Sequence, residues 1–169
     1  MPEKDTIFSS TIKHDGIFSF KDFYLFCHEW LTEETELRIV EKKYEEKIMG
    51  DSKDIIIEWL GDKKLTDYFR FDMNVKFTIR KLSNVEVSQN GINIKTNKGS
   101  VKIAVKGILT RDYDGKFETT AFKKFLRAIY EKWVITSRIN EMEEKISSGS
   151  DSFLNQAKAY LDLEGKKGL

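Results

Sequence analysis

The stretch Phe69-Arg70-Phe71-Asp72-Met73-Asn74-Val75-Lys76-Phe77-Thr78-Ile79-Arg80 decides the fold. Its apolar residues alternate strictly with polar ones over twelve positions, so one face of a strand is buried and the other wet, the mark of an antiparallel sheet. Upstream, Ile55, Ile57 and Trp59 keep the same period, and Gly61-Asp62 is suited to a two-residue turn. Downstream, Val85 and Val87 lead into Asn90-Gly91, a strong hairpin signal, and Ile92 and Ile94 return from it. Asn97-Lys98-Gly99 reads as a further turn before Val101, Ile103 and Val105. The segment Arg111-Asp112-Tyr113-Asp114-Gly115 then ends the sheet.

Outside this block the pattern changes. Ile7 to Lys13 reads as a first strand closed by His14-Asp15-Gly16. Ser19 reads as the N-cap of a helix over Phe20 to Leu31, whose apolar residues recur at three and four. Leu37 to Met49 carries both periods: Leu37, Val40, Tyr44 and Ile48 suit a helix, whereas Leu37 and Ile39 alternate as a strand does. The turn-like Gly50-Asp51 and the strand beyond it favour the strand. From Phe122 to Ile146 helical spacing holds for about seven turns, and Phe125, Ile129 and Trp133 share the face expected to meet the sheet. Ser147-Ser148-Gly149-Ser150 is expected to break that helix before a short last one. The expectation is a single α+β domain over 5–146, a curved antiparallel sheet of about six strands with an N-terminal helix and a long C-terminal helix on one face. Residues 147–169 would supply a linker and the short helix.

The 169 residues are 40% hydrophobic and 34% charged, with a net charge of +1, enough apolar content for a packed core and no bulk pull toward anions. No apolar run approaches the roughly 18 residues of a membrane span. Pro2-Glu3-Lys4-Asp5 is charged where a secretory segment would be apolar, and Cys27 has no second cysteine to pair with, so a cytoplasmic protein is expected.

Catalytic patterns are sparse. Cys27 and His28 are adjacent on a helix and point about 100° apart, so they form no thiolate–imidazole pair. One cysteine and two histidines are too few for a zinc site, and Asp112-Tyr113-Asp114-Gly115 lacks the later ligands of a calcium loop. Phosphate-loop and nucleophile-elbow motifs are absent. No catalytic residue, metal or cofactor is expected.

Charge is unevenly spread: residues 98–138 hold ten Lys and Arg against four Asp and Glu. Lys102, Lys106, Arg111, Lys123, Lys124 and Arg127 are the candidates there for an anionic partner, nucleic acid or acidic lipid, although such residues are also the wet faces of a strand and a helix. Trp59, Phe71, Phe77, Ile103, Phe125, Ile129 and Trp133 are the candidates for an apolar ligand between sheet and terminal helix; equally, they fill a core.

The element order resembles the helix-grip fold of START and Bet v 1-like domains, which implies a sheet wrapped around a terminal helix with an apolar cavity between. Trp59, the segment Lys63-Lys64-Leu65-Thr66-Asp67-Tyr68-Phe69, the pair Asp112-Tyr113 and the run Phe122-Lys123-Lys124-Phe125-Leu126-Arg127 resemble an uncharacterised archaeal protein family. That resemblance implies a cytoplasmic archaeal source and no chemistry. The expected function is a non-enzymatic binding domain for an apolar small molecule or a protein partner at the face between sheet and terminal helix. The alternative is a binder of anionic surfaces through 98–138.

Overall fold

The computed structural model describes residues 3–115, 120–134 and 136–166, with the side chains of 133, 134, 136 and 137 outside that description. The chain runs β1 (Glu3–Phe18), α1 (Phe20–Glu33), β2 (Arg38–Met49), β3 (Ser52–Lys64), β4 (Phe69–Gln89), β5 (Ile92–Arg111), α2 (Ala121–Ile129), a π-helical turn (Tyr130–Val134) and α3 (Thr136–Lys166). It is an α+β fold on one open, fully antiparallel sheet of order β1-β5-β4-β3-β2. Of the ambiguous segment 37–49, Arg38–Met49 forms the strand β2.

Five strands form where about six were expected, because three glycine-containing signals read as turns lie inside strands. Two others do turn the chain as expected: Gly50-Asp51, with Gly50 at φ 63, joins β2 to β3, and Asn90-Gly91, at φ 53 and 78, joins β4 to β5. At Gly61, inside β3, a Cβ would sit 2.9 Å from Ile39 Cδ1, so the missing side chain makes room for β2. At Gly99, inside β5, a Cβ would lie 3.1 Å from the Arg80 carbonyl oxygen and Leu82 Cα. There β4 bulges between Arg80 and Ser83; Lys81 takes φ 54, and its N–H donates to Asp54 Oδ1 at 2.9 Å. His14-Asp15-Gly16 likewise continues β1 to Phe18.

Both long helices lie on one face of the sheet. Ser19 caps α1 as expected, its hydroxyl accepting from the Asp22 N–H. Phe23, Cys27 and Leu31 of that helix are buried, with Phe23 edge-on to Phe18 and Phe77. α3 packs beside α1, Tyr160 stacking on Phe26 and Phe153 meeting Trp30. Ser147-Ser148-Gly149-Ser150 is not a linker: it is helical, and Ser150 is fully buried within the stripe Met142, Ile146, Phe153, Leu154, Ala157 and Leu161. Ser150 serves a close approach. A Cβ on Gly107 of β5 would come within 2.5 Å of Ser150 Oγ and 2.8 Å of Ile146 Cγ2. Composition suggested a breaker; packing explains it as a contact.

The opposite face of the sheet carries the polar half of each alternation. β2, at one edge, is almost wholly exposed, and its charged residues and the bulge between Glu41 and Lys43 discourage pairing with another edge.

His14 is the buried titratable side chain on β1, 3.8 Å from Asp162 of α3 and beside Gly165. Burial, and then the Lys158 ammonium, hold its pKa below the usual 6.5. The unfolded chain therefore binds a proton on His14 that the folded chain refuses. Stability conferred by the neutral ring is complete above pH 6.5 and is lost as pH falls from there through the folded pKa. Urea midpoints measured across that window should decline with acid, and His14→Gln should flatten the decline. An unchanged slope in the variant would remove His14 as its cause.

Candidate functional site

The terminal helical segment gives the largest departure from expectation. Thr120 caps α2, accepting from the Lys123 N–H at 3.1 Å. Phe122, Phe125, Leu126 and Ile129 then occupy an arc of roughly 100° at about 100° per residue, with Arg127 some 150° from its centre. Phe125 and Ile129 were expected to meet the sheet. Instead the whole arc faces solvent, at 67% exposure for Phe122, 59% for Phe125, 40% for Leu126 and 38% for Ile129, while Arg127 is buried.

Ion pairs explain the inversion. Arg127 reaches Glu3 Oε1 of β1 at 2.6 Å, Glu131 Oε1 at 3.6 Å and Asp112 Oδ2 at 3.8 Å. Glu131 also lies 3.6 Å from Arg111, which pairs with Asp5 at 2.8 Å. The Tyr68 hydroxyl donates to Glu131 Oε1 at 2.5 Å; burial and then that bond raise its pKa far above the usual tyrosine value, so it remains a donor. Asp112 is buried at φ 50, its own N–H bonded to the Tyr68 carbonyl. A phenylalanine turned toward these carboxylates would put an apolar ring where Asp112 and Glu131 face the Arg127 guanidinium. The π-turn completes the arrangement: one extra residue between α2 and α3 shifts helical phase by about 100°, which a constant 3.6 period carried from Phe122 to Ile146 could not register.

No family model, curated protein or solved structure matches this chain.

The apolar candidates divide. Trp59, Phe71, Phe77 and Ile103 lie together in the core on the inner face of the sheet, whereas Phe125 and Ile129 sit outside it on α2. The Trp133 side chain lies outside the described residues. An open cleft of about 710 Å³ lies between the end of α1, the β3–β4 connection and α3, with Trp30, Leu65 and Phe71 among Glu34, Lys63 and Glu144 at its lining.

The basic candidates divide as well. Arg111 and Arg127 are committed to carboxylates inside the ion-pair cluster. Lys102 and Lys106 are exposed on the outer sheet face, opposite Lys13 and Ser9 of β1. Lys123 and Lys124 are exposed on α2. One basic stretch of sequence thus becomes three separate locations.

Sequence reasoning missed Glu3, Tyr68, Asp112 and Glu131 as partners. The i,i+4 spacing of Arg127 and Glu131 was the one local signal, and the other three are distant in sequence. Cys27 is buried, and burial pushes its thiol well above the usual value, which suits an apolar role. Among the described residues no group of three or more His, Cys, Asp and Glu is placed to hold a metal, and no helix is long and apolar enough to cross a membrane.

Proposed function

We propose that this chain is a non-enzymatic docking domain whose contact face is α2. The observation that carries the reading is the inversion of that helix: four large apolar side chains outward, the arginine inward. Folding normally hides such an arc, and contiguous exposed apolar surface with a polar border marks an interaction site. Here the ion pairs of Arg127 hold the exposed orientation in place. Trp59, Phe71, Phe77 and Ile103, by contrast, are at most 4% exposed and engaged with other core residues, which favours docking over an internal apolar ligand. The scaffold supports a helix-grip-like reading, since the first strand lies beside the last and α3 crosses the sheet from that side.

The test needs no partner. The full chain should be retained on a phenyl matrix and should enhance the fluorescence of an apolar dye. The double variant Phe122→Ser, Phe125→Ser should lose most of both signals, while its free energy of unfolding in urea stays within about 0.5 kcal/mol of the parent, as for surface positions generally. Retention that ignores both substitutions would remove α2 as the docking face.

A further inference from the structure

We infer that the surface α2 docks on is an acidic lipid bilayer, an inference that rests on the docking reading above. Between Ala121 and Tyr130 there is no Asp or Glu; Lys123 is exposed about 60° beyond one edge of the apolar arc, and Lys124, exposed as well, lies about 150° from its centre. The nearest carboxylate in the following turn, Glu131, is directed into the protein, against Arg127, Arg111 and the Tyr68 hydroxyl. Lys132, after it, is exposed. What α2 offers to solvent is therefore apolar and cationic with no anionic side chain of its own. That is the complement of a leaflet with a hydrocarbon interior and anionic headgroups.

Two other occupants fit less well. A standard interface between two folded proteins enlists roughly 20–30 residues a side, whereas α2 presents four apolar side chains on nine residues. A bilayer imposes no such minimum, because a short interfacial helix can bury its apolar arc to a depth of about 5–10 Å while lysines remain at the headgroups. A nucleic acid would meet the lysines but leave Leu126 and Ile129 facing phosphate and water. The helix is also held to the sheet end through Arg127 on its far pole, which keeps the arc turned outward.

The probe is a sedimenting vesicle of phosphatidylcholine, with or without phosphatidylserine, mixed with the full chain. Binding should require phosphatidylserine and weaken as salt is raised. Lys123→Glu with Lys124→Glu should lower the partition coefficient at least about tenfold, as should Phe122→Ser with Phe125→Ser. Circular dichroism checks that the variants remain folded. Equal binding to neutral and acidic vesicles, or an unchanged partition in the lysine variant, would overturn the inference. Retention on DNA-cellulose without vesicle binding would overturn it in favour of nucleic acid. If the phenyl-matrix signal depends on Phe122 and Phe125 but acidic vesicles are ignored, docking stands and the lipid assignment fails. If that signal does not depend on them, both fall.

Discussion

Trp59→Ala should lower the free energy of unfolding by about 3–5 kcal/mol, the range for a large aromatic removed from a core that cannot close over the hole. Trp59 is 1% exposed and wedged edge-on among Tyr24, His28 and Phe77 at ring separations of 5.3, 5.6 and 4.8 Å. Such pairs add about 0.5–1.5 kcal/mol beyond the buried area. Its indole N–H also donates to Glu41 Oε1 at 3.1 Å, an oxygen shared with the Tyr24 hydroxyl at 2.8 Å. Truncation therefore opens a void under α1 and loosens the tie between α1 and the edge strand β2 together. Lys76→Ala, on the wet face of β4, is the control and should stay within about 0.5 kcal/mol. Urea denaturation of both variants is the measurement; matching losses would mean that the inner face of this sheet is not a packed core.

The second large effect is expected at Arg127. Arg127→Ala takes the Arg127 guanidinium from Asp112, at 2% exposure, and leaves Glu131 with Arg111 alone of its two arginines, and removing one member of a buried ionic cluster costs about 3–5 kcal/mol. Arg127→Lys should recover only part of this, because one ammonium cannot match the forked reach toward Glu3, Asp112 and Glu131. Combining Arg127→Met with Asp112→Asn should cost less than Arg127→Ala alone, since the pair loses both charges. Urea unfolding gives the size of the loss, and amide exchange over residues 121–134 shows where it falls. An Arg127→Ala protein as stable as its Lys124→Ala counterpart would mean that the ion pairs contribute nothing to holding α2.

The sheet was readable because a period of two survives wherever one face is dry. Phe69 to Arg80, Val101 to Val105 and Ile55 to Trp59 all show it, and all lie in strands. Gly61 and Gly99 misled because the same missing side chain serves a turn or a close approach, and only the neighbouring strand distinguishes them. Ser147 to Ser150 misled for the same reason, since Ser150 lies against Gly107, some forty positions upstream, a contact no local pattern shows. The docking face was half legible: the amphipathic arc of α2 is in the sequence, but its direction is set by Glu3 and Asp112, which no local pattern links to Arg127.

The π-turn at Tyr130–Val134 acts as a gear between two helices of fixed composition. Which way the apolar arc of α2 points depends on how many residues separate it from α3, as well as on which residues they are. Removing one of the five would turn the arc by about 100° and carry Arg127 away from its carboxylates, with every side chain of the arc still present. The outward face is thus written as a count, so that a single-codon deletion could hide it without rebuilding the sheet beneath.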